Sequence, residues 1–415
     1  MIKGMGLSLI DSLDTMLIMN LTNYYKHARD YLAETLSWDR DIIVSVFETN
    51  IRCVGGLLAA YDMTQDEFFL KSAVDLGDRL LNAFQTPTGL PRTTVNLKTG
   101  AATNPSWTQQ SSLLAEIGTL QIEFSYLSYA SKQPRFAQKA MAVYDHLLTL
   151  MPEDKLLPIF INPDDGKPKG TDLVSVGALG DSYFEYLFKY WLITKKASRW
   201  GKEYFETVES ILNTLAFKIV DQDEEMWYIA ERQNKNINHK FDHLACFFGG
   251  LLALDAQHAP TEQMRERHME IGKGIGAFCR KMYTMNPTRL PCDFVNIVGN
   301  TISNPIAAGK GWLMRPEAVE TWFILYRLTN DTKYQEWGWD YFEAIEKYTK
   351  KEYGYTGLRD VTDSQKLEPD DVQQSYFLAE TLKYLFLLFS PKDTIPLDKF
   401  VFNTEAHPLS FFEAQ

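Results

Sequence analysis

Glu48 in SVFETNIR, Asp181 in LGDSYFEY, Glu317 in LMRPEAVE and Glu380 in SYFLAETLKYLFLLF each lie within, or open, a strongly apolar stretch with helical spacing. A carboxylate placed there loses its hydration and needs a partner, a proton or a cation in exchange. One such residue is usually a private ion pair. Four, spread along nearly the whole chain on separate helices, imply helices that converge on one acidic pocket. Such pockets carry acid–base chemistry or hold a cation.

Glu48 and Arg52 stand four apart, so their side chains meet on one helix face. An ion pair is the ordinary outcome, but Val46, Phe47, Ile51 and Val54 leave it little polar surface. Glu317 follows Arg315-Pro316; proline suits the first helical position, which puts Glu317 where the helix dipole favours an anion. Acidic residues at helix starts are common, yet an anion held ionised is also what a general base requires, and Glu320 stands one turn on. Asp181 precedes Ser182-Tyr183-Phe184-Glu185, the pattern of a capping box. Glu380 shares a helix face with Tyr376, Phe377 and Tyr384, with Lys383 as its one nearby cation. His243 in DHLACFF is a polar group on an apolar helix, a position more often filled by a satisfied core histidine than by a catalytic one.

Periodicity of 3.6 residues predicts the elements that must carry these groups. Helices are expected over 6–19, 22–35, 42–62, 66–83, 109–130, 133–150, 177–195, 198–218, 240–256, 261–284, 313–328, 332–348 and 371–390. They pair, an apolar member such as AEIGTLQIEFSYLSY with a more charged successor such as RFAQKAMAVYDHLLTL. That alternation predicts an inner ring of buried helices wrapped by half-exposed ones. The connecting loops, among them QTPTGLPRTTVNLKTGAATNPSW and NPTRLPCDFVNIVGNTISNPIAAGKG, are long, and long loops in compact domains are usually functional. No linker or charge run divides the chain, so 1–415 reads as one domain. Thirteen helices are odd for a ring of pairs, and the chain opens on an apolar helix, so the first helix is expected to be missing.

Composition excludes several classes. A net charge of −12 offers no basic stripe to a nucleic acid, and 25 Phe, 21 Tyr and 9 Trp suit a neutral polar substrate held by stacking and hydrogen bonds. No apolar run approaches the roughly 18 residues of a membrane span, and MIKGMGLSLIDSLDT lacks the features of a signal peptide. Four cysteines are too few for a disulfide scaffold, and Cys53 reads as a buried thiol. There is no HExxH, paired CxxC, EF-hand loop, phosphate loop or GxSxG, and Asp164-Asp165 and Asp370-Asp371 lack the third aspartate of DDxxD. Oxygen donors are plentiful, so a hard cation such as calcium is the metal class the composition favours.

Taken together, LSLIDSLDTMLIM, VFETNIRCVGGLLAAY, TPTGLPRTTVNL, LAEIGTLQIEF, GDSYFEYLFKYW, HLACFFGG, RPEAVETWFILYRLT, YQEWGWDYF, VQQSYFLAETLKYLFLLF and VFNTEAHPL resemble the class I α-1,2-mannosidases of glycoside hydrolase family 47. The segments occur in the family's order over roughly residues 4–409. The resemblance implies an all-α fold, an (α/α)7 barrel with small β-hairpins in loops at one end. It implies a Ca²⁺-dependent, inverting exo-α-1,2-mannosidase that trims high-mannose N-glycans. By motif, Glu48 would be the acid, Glu317 the base and Asp181 a third essential carboxylate. Arg52, His243, Arg315, Glu320, Glu380 and Glu405 would contact sugar hydroxyls or calcium-bound waters, with Tyr376 beneath the sugar, where the family usually has Phe. Thr404 would bind Ca²⁺ through its carbonyl and hydroxyl oxygens. Inversion needs two carboxyls roughly 6.5–9.5 Å apart with a water between base and anomeric carbon.

Two departures bear on this reading. The family's earlier helix, GHDEL-like segment and anchor or signal are not matched, which puts the stability and activity of this chain in question. Leu179 stands two before Asp181, where the endoplasmic-reticulum enzymes carry Arg; it and VQQSYF resemble the Golgi subgroup, whose members trim Man9 towards Man5. The resemblance further implies a Cys246–Cys279 disulfide, a monomer and a secretory-pathway lumen, Golgi or endoplasmic reticulum. The rival expectation is a lectin-like, degradation-enhancing mannosidase-like protein of glycoprotein quality control. Those proteins typically lack the cysteine pair matched here.

Overall fold

The computed structural model describes residues 5–196, 199–221 and 224–414. The described residues divide into two compact units, one drawn from within 1–174, 179–210 and 395–415, the other from within 175–178 and 211–394. Both are mainly helical and carry short antiparallel hairpins. The expected alternation of helix types recurs within each. In the first unit nearly every side chain of Asp181–Ile193 is buried, whereas Arg135–Thr149 buries one stripe, Phe136, Ala140, Val143, Tyr144 and Leu147. In the second, all nine residues of Phe247–Asp255 are buried, while Lys333–Tyr348 buries only the face with Tyr334, Gly338, Tyr341, Ala344 and Ile345. A continuous apolar surface can be satisfied only by neighbours on all sides; a stripe needs one.

Several helix bounds differ from expectation, for identifiable reasons. The expected 6–19 helix breaks at Ser12 into Leu7–Asp11 and Leu13–Ile18. The 42–62 segment opens as a strand, Ile43–Ser45, paired antiparallel with Thr94–Asn96, because β-branched Ile43 and Val44 precede a capping serine. The 109–130 span holds Ser112–Leu113, a single turn Leu114–Ile117, and then Gln121–Ser131. Ser198, which opens the expected 198–218 helix, lies outside the described residues; that helix ends at Thr214, and Ala216–Asp221 pairs with Glu224–Ile229 as a hairpin. The 240–256 span likewise starts as a strand, Lys240–Asp242, paired with Phe294–Val298. In the 371–390 span only 375–388 is helical, most of it as Phe377–Thr381 and Leu382–Leu388.

The four cysteines fall into two kinds. Cys246 and Cys279 face each other with Cα atoms 6.0 Å apart, a disulfide's usual separation. Cys53 and Cys292 are buried away from them, and burial pushes the Cys292 thiol up to about 12, which leaves it protonated and inert. No helix of the described residues is long and apolar enough to cross a membrane.

Candidate functional site

The expected site residues form two clusters, one in each unit. The first is built on the strand-to-helix junction at Ser45. Its backbone is pinned opposite Thr94, and its Oγ accepts the Glu48 N–H at 3.2 Å, one half of a capping box. Glu48 is therefore fixed in the first turn. The backbone then runs as a π-helix over Thr49–Val54 before the α-helix Gly55–Thr64. Insertions of this kind are rare and recur at functional sites. Arg52 lies within this π-helix and forks between partners: Nε donates to Glu48 Oε2 at 2.7 Å and Nη1 to Glu405 Oε1 at 2.6 Å, with Asp11 Oδ2 at 3.6 Å. Burial opposes the Arg52 charge, but Glu405, Glu48 and Asp11 together hold its pKa well above the ordinary arginine value. Glu405 is buried, whereas the Glu48 side chain stays 46% exposed. The forked guanidinium thus holds one carboxylate inside the protein and presents the other.

Two glutamates not foreseen from the sequence complete this cluster. Glu123, fully buried, accepts from Asn50 Nδ2 (2.9 Å), Asn403 Nδ2 (2.7 Å) and the Tyr186 hydroxyl (2.5 Å). It thereby ties the π-helix, the 403–407 turn and the Asp181–Ile193 helix to one carboxyl. Burial raises its pKa, against the three hydrogen bonds. Glu116, in the turn Leu114–Ile117, is pushed up to about 8, first by burial and then by the charge of Glu48, and its Oε2 has no hydrogen-bond partner among the described residues. Glu116 therefore carries a proton near neutral pH beside a second carboxyl. The apolar run LLAEIG hid it; an acidic residue between five apolar or small ones was the available signal.

Asp181 opens its helix behind Gly180, and the expected capping box does not form. Asp181 Oδ1 instead accepts from the Ser182 N–H at 2.8 Å, the Ser182 hydroxyl bonds Thr119 at 2.8 Å, and Glu185 turns inward to a buried ion pair with Lys189. The i,i+4 cation competes successfully with the cap. Leu179 sits at φ 74°, a left-handed conformation costly for a branched residue, and its carbonyl accepts the Ala115 N–H at 2.9 Å. That bond fixes the approach to Asp181 against the turn that holds Glu116.

Thr404 lies in the turn between the strands Phe400–Phe402 and Pro408–Ser410. Its N–H donates to the Tyr186 hydroxyl at 3.3 Å, and no hydrogen bond joins its carbonyl or hydroxyl oxygen to the described residues. Two unspent hard oxygens on one anchored residue fit a calcium-like cation. Among the described residues no group of three or more His, Cys, Asp and Glu could hold a metal.

The second cluster is built on the hairpin that replaces the expected start of the 240–256 helix. Pairing of Asp242 with Phe294 places His243 beside Asp293, whose carbonyl accepts the His243 N–H at 2.9 Å. His243 Nδ1 lies 3.0 Å from Glu317 Oε2 and Nε2 2.9 Å from the Tyr283 hydroxyl. A carboxylate only accepts, so Nδ1 bears the proton on the Glu317 side, and Nε2 meets the Tyr283 hydroxyl. Burial, and next Tyr341 and Glu317, push the Tyr283 hydroxyl well above the ordinary tyrosine value, which keeps it protonated. Glu317 opens Glu317–Thr329 behind Pro316, as expected. Arg315 Nε donates to Asp293 Oδ1 at 2.7 Å; burial opposes its charge, while Glu317 and Asp293 raise its pKa.

A second π-helix, Phe377–Thr381, holds this helix start. The Tyr376 hydroxyl donates to the Leu313 carbonyl at 2.5 Å and the Thr381 hydroxyl to the Met314 carbonyl at 2.7 Å, with Met314 at φ 65°. Glu380 is buried on that π-helix, and Glu320 is buried one turn after Glu317, with the Tyr384 hydroxyl 3.3 Å away. Each cluster therefore places a carboxylate in the first turn of a buried helix, behind a left-handed or strand-pinned residue, with a π-helix beside it.

Comparisons with known proteins define the class. The description "Glycosyl hydrolase family 47" matches residues 1–411. The fold is shared with an α-1,2-mannosidase from Trichoderma reesei at a TM-score of 0.88 and 26% identity, over 99% of this chain and 91% of that one. The chain belongs to glycosyl hydrolase family 47, a family of glycosidases. It is 43% identical over 410 residues to a mannosyl-oligosaccharide 1,2-α-mannosidase of Arabidopsis thaliana, covering 98% of this chain and 71% of that protein. It is 42% identical over 407 residues to mannosyl-oligosaccharide 1,2-α-mannosidase IA of Sus scrofa, covering 97% of this chain and 61% of that protein.

Proposed function

We propose that this chain hydrolyses terminal α-1,2-linked mannose of high-mannose N-glycans, with inversion and with Ca²⁺, in the lumen of the secretory pathway. The observation that carries the reading is the pair of carboxylates that open buried helices, Glu48 in the Arg52 fork and Glu317 on the His243–Tyr283 chain. Glu48 protonates the leaving oxygen. Glu317 takes the proton of the attacking water, and His243, locked by Tyr283, keeps its carboxylate oriented. Asp181 is the third carboxylate of the reaction. Arg52, Arg315, Glu320, Tyr376, Glu380 and Glu405 contact sugar hydroxyls or the water around the cation.

Thr404 would hold the cation, which when bound would supply a positive charge to vicinal hydroxyls of mannose. Leu179 offers no forked donor to a single glycan branch, so several branches dock and Man9 is trimmed towards Man5. A Cys246–Cys279 bridge, formed in an oxidising lumen, staples the turn before Phe247–Asp255 to Glu262–Thr284, and the enzyme acts as a monomer.

The test is digestion of a Man9 glycan with and without EDTA, read by mass spectrometry. Stepwise loss of up to four hexoses, abolished by chelation and restored by Ca²⁺ better than by Mg²⁺, is expected. Intact Man9 that nonetheless stays bound to the protein would instead mark a lectin-like role. Full activity in excess chelator would remove the metal assignment.

A further inference from the structure

The 403–407 turn presents Thr404 and Glu405, and its last residue, His407, belongs to no role assigned so far. His407 is fully buried, as are Asp11 and Asp14. Its Nδ1 lies 3.0 Å from Asp14 Oδ2 and its Nε2 3.2 Å from Asp11 Oδ1. Carboxylate oxygens accept and do not donate, so a ring bonded to two carboxylates through both nitrogens is doubly protonated. Asp11 is at the same time 3.6 Å from Arg52 Nη1, the nitrogen that holds Glu405. Among the described residues, the ionisable groups around the ring include Asp14 and Asp11 directly, and Arg52, Glu405 and Cys53 beyond Asp11.

The facing helix is shaped for this ring. Gly55 and Gly56 open Gly55–Thr64, where two consecutive glycines weaken a helix. A Cβ at Gly55 would stand 2.6 Å from Asn403 Nδ2 and 3.0 Å from His407 Cδ2. One at Gly56 would stand 2.8 Å from the Ile10 carbonyl oxygen and 3.2 Å from His407 Cε1. The missing side chains are the space in which the turn and the helix meet. The turn is closed on itself as well: Asn403 Oδ1 accepts the Glu405 and His407 N–H groups at 2.9 and 2.8 Å.

We propose that His407 is a positioning residue for the reaction proposed above: as an imidazolium clamped between Asp14 and Asp11, it seats the turn that bears Thr404 and Glu405 and, through Asp11, aims the Arg52 fork at Glu48. Were the ring neutral, one carboxylate would lose its donor, and Asp11 would compete with Glu48 and Glu405 for Arg52. The inference rests on the mannosidase reading for its effect on turnover, but not for the state of the ring.

The experiment uses the full chain with ¹⁵N-labelled histidine and arginine. In the unmodified protein, both His407 ring nitrogens should remain protonated at pH 8, where an ordinary histidine of pKa about 6.5 is neutral. Asp14→Asn keeps the shape and removes one charge. It should release a proton from the ring at lower pH, move the Arg52 Nε resonance and reduce kcat about tenfold, with KM changed less than about twofold. A neutral His407 ring at pH 7 in the unmodified protein overturns the proposal. So does an Asp14→Asn variant whose Arg52 resonance and kcat both stay unchanged, since the ring would then be merely structural. If the ring and Arg52 respond as expected but the unmodified protein cleaves no mannoside, the clamp stands and the mannosidase reading falls.

Discussion

The two clusters hold similar carboxylates by opposite means. Around Glu48 the partner is a guanidinium, always charged, whose planar fork divides itself between Glu48 and buried Glu405. Around Glu317 the partner is an imidazole that can lose its charge, backed by a tyrosine hydroxyl kept neutral by burial. The first arrangement fixes a carboxyl by charge in a partly open position; the second fixes one by directional hydrogen bonds in a nearly closed one. The Glu317 side chain is 14% exposed and the Glu48 side chain 46%. A group that must meet a large leaving sugar gains from being open. One that must orient a single water gains from a rigid, shielded seat.

The contrast is broken most severely by removing either carboxylate. Glu317→Gln and Glu48→Gln should each lower kcat by about 10²–10⁴-fold while glycan binding survives, as measured by steady-state kinetics and isothermal titration. Near-normal turnover in either variant removes its role. The next largest effect belongs to the fork. Arg52→Lys leaves a point charge that cannot bond two carboxylates in one plane, so kcat/KM should fall about 10–100-fold. Tyr283→Phe deletes only the far end of the relay and should cost roughly 2–10-fold. If the tyrosine change proves the more damaging, the distinction between charge-held and hydrogen-bond-held carboxylates is reversed.

Glu116 gives a pH signature confined to the first cluster. Its pKa rises from an ordinary 4.5 to about 8 on folding, so the folded protein keeps a proton that the unfolded chain releases. Its contribution is fully present below pH 4.5 and is lost as pH rises through about 8. Glu116→Gln should therefore melt at a temperature that gains on the unmodified protein between pH 5 and pH 8. A difference independent of pH would show that Glu116 is ionised in the fold. The smallest effect on rate, though the clearest on products, is Leu179→Arg: end-point digests of Man9 should narrow to one Man8 isomer. If the unmodified enzyme already stops there, Leu179 does not set branch choice.

Much of this was legible in the chain because amphipathic and wholly apolar helices leave different periodicities. The Glu317 start could be read from Pro316, and the Glu48–Arg52 contact from i,i+4 spacing. The rest depended on tertiary competition. The hairpin at Ala216–Ile229 has no turn signal strong enough to outweigh the helical pattern before it. Neither π-helix has a sequence signature: the Thr49–Val54 insertion coincides with Asn403 Nδ2 capturing the Ile51 carbonyl at 3.0 Å, across more than 350 residues of chain. His407, Asp11 and Asp14 were invisible for the same reason, since nothing in DSLDT or EAHP says that they meet. Thr404 came from resemblance alone; its open oxygens became a physical argument only when the turn was seen.

The central claim is that Glu48 serves as acid and Glu317 as base. The most direct measurement is hydrolysis of α-mannosyl fluoride by the two glutamine variants, each compared with its own rate on an α-1,2-mannobiose unit. Fluoride departs without a proton from the enzyme, so Glu48→Gln should recover most of the unmodified rate on the fluoride, whereas Glu317→Gln, which cannot activate water, should remain inactive on both substrates. Equal loss of fluoride hydrolysis in the two variants, or recovery by Glu317→Gln instead, would contradict the assignment.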